Sequence, residues 1–269
     1  NRNIGRLPVI DYDENGNEKL VGIVSRRDIL KSNYEQHISI SRNVFDNVSA
    51  FLQKMKPEIK DVIEKTGMFA DSLGINAWLV GGFVRDLLMS KESMDIDIVI
   101  EGDAIDFAKE ISEKLNLNYV AFPQFRTAIV VFKSIIKSAH SENTYSSIKI
   151  DFASARSEIY DKPGILPSVE MSSLKNDLYR RDFTINSMAV QINSSHFGRL
   201  FDFFNGRRDI QIGVIKILSN MSFSDDPTRI LRAVRFEQRY QFKIDQKTKH
   251  LLLSALNLNL LKKIAVERI

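Results

Sequence analysis

The stretch Leu79–Val99, "LVGGFVRDLLMSKESMDIDIV", contains the two features that decide the fold. The apolar run Ala77–Val80 predicts a strand, and the pair Gly81-Gly82 follows it, just before a helix predicted from Phe83 to Met89. A second predicted strand, Ile96–Ile100, begins inside an Asp-Ile-Asp sequence. Strand, glycine turn, helix and strand in this order indicate an α+β fold with a small mixed sheet.

The Asp-Ile-Asp sequence places two carboxylates, Asp95 and Asp97, on one face of a strand, because alternate residues of a strand share a face. Neighbouring carboxylates raise each other's pKa unless a cation lies between them, and Mg²⁺ prefers oxygen ligands. Asp151, in "IKIDFASAR", lies in another predicted strand that can bring it beside the pair. The alternative is a solvated turn, since this short pattern alone has little specificity.

The pair Gly81-Gly82 directs backbone N–H groups outward at the positive end of a helix, and Arg85 can add charge one turn later. The sequence contains neither GxxxxGK[ST] nor GxGxxG, which argues against a P-loop and a Rossmann site. Together the two features predict a triphosphate on the glycine turn and a metal on Asp95, Asp97 and Asp151. This is the arrangement of two-metal nucleotidyl transfer.

Around this stretch the chain divides into three zones. In the first zone, Gly5–Lys31, the pattern predicts two strands, a turn at Asn15-Gly16 and a short helix capped by Ser25 with Asp28. A piece of this size is too small to bury a core of its own, so we expect the chain to begin inside a domain. The second contains further predicted helices at Val44–Thr66, ending at Gly67, Met68–Leu73 and Asp103–Leu115, and strands at Tyr119–Phe122, Thr127–Phe132 and Ser147–Phe152. The polar segment Lys133–Ser146 is predicted to be a mobile excursion. The third, Ser172–Ile269, is predicted to be mainly helical, with an extended patch at Leu200–Leu218.

Composition sets limits on the class of protein. The 269 residues carry a formal charge of +4, which permits a polyanionic partner without demonstrating one. Cysteine is absent, which excludes disulfides and thiolate catalysis and fits a reducing compartment, so we expect a cytoplasmic location. No apolar run reaches the length of a membrane span, and the four histidines lack metal-ligand spacing.

Several collinear motifs resemble the class II tRNA nucleotidyltransferase and bacterial poly(A) polymerase family, which belongs to the DNA polymerase β-like nucleotidyltransferases. The matching segments are "LVGGFVRDLLMSKESMDIDIVIEGDAIDFA", "RTAIVVF", "KIDFASAR", "PGILPSVEMSSLKNDLYRRDFTINSMAV" and "FSDDPTRILRAVRF". The similarity extends from about Val44 to Ile269. One departure is Arg126, where the family commonly has glycine.

The resemblance implies metal binding by Asp95 and Asp97, with Asp151 positioning an RNA hydroxyl. It also implies that the triphosphate is held by Gly81, Gly82 and Arg85, with Asp86 fixing the turn. "YRRDFTINSMA" is expected at the start of a helix, and the resemblance implies ribose and phosphate contacts for Arg181, Asp182 and Asn186. A helix cap is the alternative role for Asp182.

The segment "DDPTR" is the implied base reader. Asp226 and Arg229 offer the acceptor and paired donors that match the edge shared by cytosine and adenine, and Asp225 would orient the arginine. The alternative is a capped helix with an ion pair. The resemblance implies RNA phosphate contacts for three arginines at helical spacing, although a solvated face explains them equally well: Arg232, Arg235 and Arg239.

The beginning of the chain, "LPVIDYDENGNEKLVGIVSRRDIL", resembles the second half of a cystathionine-β-synthase-type (CBS) module and offers a route to an oligomer. The expected domains are a partial CBS module (1–32), a catalytic nucleotidyltransferase head (43–171) and a neck with the start of a helical body (172–269).

The expected function is template-independent addition of C and/or A from CTP or ATP to the 3′ end of tRNA. Mg²⁺ is the expected cofactor, pyrophosphate the released product, and no membrane partner is expected. A poly(A) polymerase would share every residue named above. A catalytically silent adenine-nucleotide sensor is a further alternative, although mere binding does not require three metal-ligating carboxylates.

Overall fold

A computed structural model of the chain describes residues 6–12, 17–25, 46–136, 144–160 and 166–264. It divides into two compact units, Asn1–Asn43 and Val44–Ile269. In the first unit, β1 (Arg6–Tyr12) pairs antiparallel with β2 (Glu18–Ser25), which agrees with the two predicted strands. The predicted turn at Asn15-Gly16 and the predicted helix after Ser25 lie outside the described residues.

The second unit is built on a seven-stranded sheet in which β4 and β7 are parallel and all other neighbours are antiparallel. In sheet order its strands are β11 (Leu200–Phe201), β10 (Ala189–Gln191), β3 (Ala77–Val80), β4 (Ile96–Ile100), β7 (Thr144–Ser154), β6 (Thr127–Ile136) and β5 (Asn118–Phe122). Two short pairs lie outside it: β8 (Arg156–Ile159) with β9 (Ser168–Met171), and β12 (Val214–Ile215) with β13 (Lys243–Ile244). The predicted α+β class with a mixed sheet is confirmed.

Helices surround this sheet and dominate the end of the chain. They are α1 (Ser49–Leu52), α2 (Pro57–Ser72), α3 (Gly81–Leu88), α4 (Ala104–Leu115), α5 (Leu174–Tyr179), α6 (Gly206–Gln211), α7 (Ser222–Asp225), α8 (Thr228–Tyr240) and α9 (Gln246–Asn257). Single 3₁₀ turns occupy Pro123–Phe125, Thr184–Asn186, Ser194–His196 and Leu260–Lys263. None of the described helices combines the length and the apolar character that crossing a bilayer requires.

The prediction of one helix over Val44–Thr66 followed by another at Met68–Leu73 was wrong. The break falls at Pro57, which begins α2, because proline fits the first turn, where its missing N–H has no partner to lose. Gly67 lies inside α2 and does not end it. A Cβ at this position would stand 1.9 Å from the carbonyl oxygen of Ile192, so glycine permits the helix to pack against that backbone.

Two further predictions need correction. The segment Lys133–Ser146 is not a single excursion, because β6 continues to Ile136 and β7 starts at Thr144, with these two residues paired in the antiparallel ladder. Residues 137–143 lie outside the described part of the chain. The expected head ended at residue 171, but β10 and β11 bring later residues into the same sheet.

The sheet has two unlike faces. One face packs against α2, α3 and α4 in the largest core cluster, where Phe107, Ile111 and Phe152 are fully buried, and each such side chain contributes roughly 1.5–3 kcal/mol. On the other face a smaller cluster joins Trp78 and Val80 to α5 and covers the part of the sheet near β3 and β10. A third cluster holds α8 and α9 together.

Candidate active site

The structure brings the three predicted carboxylates together. Asp97 on β4 and Asp151 on β7 are direct partners in the parallel ladder, and Asp95 lies just before β4. One carboxylate oxygen from each residue lies within 4.8 Å of the others. The neighbouring residues Ile96 and Ile98 are buried on the opposite face, so the core fixes the direction of both aspartates.

Electrostatics at this cluster favour a bound cation. Burial, assisted by the charges of Asp95 and Asp151, raises the pKa of Asp97 to about 6, against the opposing effect of Arg181. The Oδ2 atom of Asp151 accepts from Lys149 at 3.0 Å, whereas its buried Oδ1 has no hydrogen-bond partner among the described residues. A divalent cation would bind this unpartnered oxygen and would offset the mutual repulsion of the three carboxylates.

The glycine turn lies against the carboxylates. Gly81 begins α3 with φ +70°, a left-handed conformation that favours glycine. A Cβ there would stand 2.9 Å from Nη1 of Arg181 and 3.3 Å from Oδ2 of Asp97. The glycine pair and the Asp-Ile-Asp sequence are therefore adjacent parts of one site.

Arg181 is held in place by Asp177, a residue that the sequence reasoning missed. Both arginines of the Arg180-Arg181 pair follow the end of α5, so their expected position at the start of a helix was wrong. Asp177 is fully buried and accepts from Arg181 at 2.9 Å and from Arg180 at 2.6 Å. Although burial raises the pKa of Asp177, the two guanidinium groups lower it more. Aspartate three and four residues before two arginines was the available signal.

A second missed residue, Glu158 on β8, extends this network. It accepts from Arg180 at 2.5 Å and from the Tyr160 hydroxyl at 2.8 Å. Burial beside the carboxylate of Glu158 raises the pKa of Tyr160. The adjoining cavity has a volume of about 350 Å³ and combines carboxylates, arginines and apolar side chains, among them Asp97, Asp151, Arg156, Arg180, Arg181, Phe122, Thr127 and Ile129.

Arg85 does not line this cavity. It is buried, donates to both oxygens of Asp86 and to Oδ1 of Asn186, and stacks on the rings of Phe236 and Tyr240. These contacts fix α3 against α8, and the phosphate contact expected of Arg85 stays a prediction.

The buried residues Asp182 and Asn186 form a polar group with Arg232, which is partly exposed. Asp182 accepts from Asn186 at 2.9 Å and from Arg232 at 2.7 Å. Burial raises the pKa of Asp182, but Arg232 and the hydrogen bonds lower it more. Arg232 is therefore engaged within the chain, whereas Arg235 and Arg239 on the same helix are exposed.

The "DDPTR" segment spans the junction of α7 and α8. Asp226 accepts from the backbone N–H and the hydroxyl of Thr228, the first residue of α8. Arg229 is buried and donates to Ser222 Oγ at 2.9 Å and to the Arg180 carbonyl at 2.8 Å. Asp225 is the last residue of α7. Base reading by these residues stays a prediction.

This geometry can be compared with known proteins. The sequence model described as the poly A polymerase head domain matches residues 77–216. The chain belongs to the poly A polymerase head domain family. A CBS domain model matches residues 1–35, in agreement with the second resemblance. Within the head domain family, the matched range includes the glycine turn, the three carboxylates and β10 and β11, but it ends before α8.

The relatives of this head domain chain are named as tRNA-processing enzymes. An A-adding tRNA nucleotidyltransferase of Geobacter sulfurreducens is 39% identical over 94% of this chain and 29% of its own length. One of Aquifex aeolicus is 46% identical over 70% of this chain and 21% of its own length. The solved Thermotoga maritima CCA-adding enzyme, complexed with tRNA, is 40% identical and covers 83% of this chain and 48% of its own, with a TM-score of 0.71. The chain thus spans less than half the length of these relatives.

Proposed function

We propose that the protein adds A and/or C to the 3′ end of tRNA without a template, releasing pyrophosphate. The observation that carries the proposal is the contact of the Gly81 position with both Arg181 and Asp97, which joins a phosphate-binding turn to a carboxylate cluster. The names of the relatives support tRNA as the acceptor and A or C as the added residue. A cytoplasmic location belongs to the same proposal.

Mg²⁺ is the proposed cofactor, held by Asp95 and Asp97 with the help of Asp151. The three carboxylates and the unpartnered buried Oδ1 of Asp151 fit an oxygen-seeking divalent ion. When bound, the ion would lower the pKa of the RNA 3′-hydroxyl and neutralise the triphosphate, as in two-metal transfer reactions.

Other residues of the chain are proposed to bind the triphosphate and to position the attacking hydroxyl. Gly81 and Gly82 supply the backbone N–H groups proposed to hold the triphosphate at the start of α3. Arg181, which lies at Gly81 and is oriented by Asp177, meets the charge of the triphosphate. Asp151, the ladder partner of Asp97, is proposed to position the attacking hydroxyl. Arg180 and Glu158 hold the backbone around Arg181.

Nucleotide selection is proposed for Asp225, Asp226 and Arg229, which lie at the junction of α7 and α8. The reason is that Arg229 donates to the backbone carbonyl of Arg180, directly before Arg181. RNA phosphate binding is proposed for the exposed residues Arg235 and Arg239. The catalytic head and the helical neck are the corresponding domains. For the CBS-matching residues 1–35 we propose self-association, which sedimentation of the chain with and without them would test.

The test is incorporation of labelled nucleotide. The chain is incubated with Mg²⁺, tRNA that lacks its 3′-terminal residues, and labelled ATP or CTP, beside the Asp97→Asn variant. We expect wild-type incorporation and at least a hundredfold loss in the variant. No incorporation by the wild type, or equal incorporation by the variant, contradicts the proposal. Long homopolymeric A products on unrelated RNA would favour a poly(A) polymerase, the activity for which the family is named.

A further inference from the structure

In the part of the chain that the structure describes, the sheet face that carries Asp97 and Asp151 is covered by other side chains only near β3 and β10. Over β3 and β10, Trp78 and Val80 pack against Leu174 and Leu178 of α5. The ladder continues from Asp151 to Ile129 on β6 and from Ile129 to Val120 on β5, which places all three on the same face. Among the described residues, no core cluster covers this outer part of the face.

The uncovered part is apolar. Two ladder positions further along, Thr127 pairs with Phe122, so Phe122 lies on the same face as Val120. Val120 is 57% exposed and Phe122 is 37% exposed, whereas Ile129 is half-buried. We call Val120, Phe122 and Ile129 the apolar strip. An exposed aromatic and aliphatic surface beside a polar site indicates a binding surface.

The strip is continuous with the carboxylate cluster. Phe122 and Ile129 line the same cavity as Asp97 and Asp151, and the arginines of that cavity follow α5 or begin β8. Gly81 and Arg181 therefore lie on the β3 side of the carboxylates, whereas Phe122 and Ile129 lie on the β5 side, where Arg156 donates to the Phe125 carbonyl. A transfer reaction needs such a division, because a triphosphate and an uncharged nucleoside must approach the same metal.

We propose that the apolar strip holds the 3′-terminal nucleoside of the acceptor RNA, with its base against Phe122 and its 3′-hydroxyl at Asp151. This inference rests on the proposed function. Lys149, on the same face two residues before Asp151 and with a 55% exposed side chain, supplies a cation for the RNA phosphate. Stacking on an aromatic ring tolerates any base.

The experiment compares Phe122→Ala and Phe122→Tyr with Tyr119→Ala. Tyr119 is the matched control, because it lies on the same strand, is 39% exposed and pairs with Val130, which places it on the opposite face. Two quantities are measured for each chain: the KM values for tRNA and for ATP, and the fluorescence of 2-aminopurine at the 3′ terminus of the RNA, which stacking quenches. Thermal unfolding confirms that each variant is folded.

For Phe122→Ala we expect the KM for tRNA to rise about tenfold or more, with loss of quenching and an unchanged KM for ATP. Phe122→Tyr should restore both values, and Tyr119→Ala should match the wild type. If Phe122→Ala behaves like Tyr119→Ala, or raises the KM for ATP instead, the inference is overturned while the proposed function stands. If the wild-type chain binds no RNA, both are overturned.

Discussion

The guanidinium carbon of Arg85 lies 4.8 Å from the centre of the Tyr240 ring. The same tyrosine donates its hydroxyl hydrogen to Oδ1 of Asp86 at 3.3 Å. Arg85 and Asp86 belong to α3, which begins at the glycine turn, and Tyr240 is the last residue of α8. One aromatic side chain thus fixes the helix that begins at the glycine turn to the helix proposed to read the base.

Replacement of Tyr240 tests this link. Tyr240→Ala removes a buried ring and leaves Arg85 without one of its two stacking partners, so we expect a loss of about 3 kcal/mol in the free energy of unfolding. Tyr240→Phe keeps the ring and loses only a long hydrogen bond, which should cost less than about 1 kcal/mol. Urea unfolding measures both. Equal losses would show that the hydroxyl, not the stacking, joins the helices.

Asp97 should destabilise the metal-free protein at neutral pH. Its folded pKa of about 6 lies above the unfolded value, so the folded state binds more protons and wild-type stability falls as pH rises through this window. With EDTA at pH 7.5, Asp97→Asn should be more stable than the wild type by about 1–3 kcal/mol. The difference should vanish near pH 4. A variant that gains nothing at pH 7.5 in urea unfolding contradicts the assigned burial penalty.

Asp177 is expected to be the most sensitive carboxylate. Asp177→Asn leaves the charges of Arg180 and Arg181 poorly compensated in a buried position, and we expect a loss of about 3–5 kcal/mol. The matched control is Asp61→Asn, because Asp61 pairs with Lys65 at the same helical spacing but in solvent, where such a pair is worth less than about 0.5 kcal/mol. Chemical unfolding of the two variants should separate them clearly; similar losses would refute the role given to burial.

Arg126 occupies a backbone conformation that favours glycine, with φ of +51°. This agrees with its position where the resembled family commonly has glycine. Arg126→Gly should therefore be more stable than Arg126→Ala by about 1 kcal/mol, because only glycine relieves the left-handed strain. The alanine variant isolates the loss of the 3.9 Å ion pair with Asp103. Thermal unfolding of the three chains gives the order, and an alanine variant as stable as the glycine variant would exclude strain.

Local patterns in the sequence were sufficient for the strands from β3 to β7 and for the carboxylate cluster that β4 and β7 carry, whereas the short strands β8, β9, β10 and β13 were not predicted. Alternation of aspartate with isoleucine fixes which face Asp95 and Asp97 occupy, and the same alternation places Asp151. These features depend on neighbouring residues, so they can be read without knowing the rest of the fold.

What the sequence reasoning missed depends on distant partners. Gly67 looks like a helix end, and only the carbonyl of Ile192 shows why it belongs inside α2. The stacking of Arg85 on Phe236 and Tyr240 joins residues that are far apart in the chain, so no local pattern indicates it. The exposure of Phe122 depends on which strands are covered, which no local pattern specifies.

The position of β7 in the sheet has a consequence for how the protein is made. This strand lies between β4 and β6, both of which precede it in the chain. During synthesis on the ribosome, the edges of β4 and β6 that pair with β7 therefore keep unpaired N–H and C=O groups until residues up to Ser154 have emerged. Because Asp151 lies on that strand, we expect the carboxylate cluster to form only after β7 has been inserted, and we expect fragments that stop earlier to aggregate.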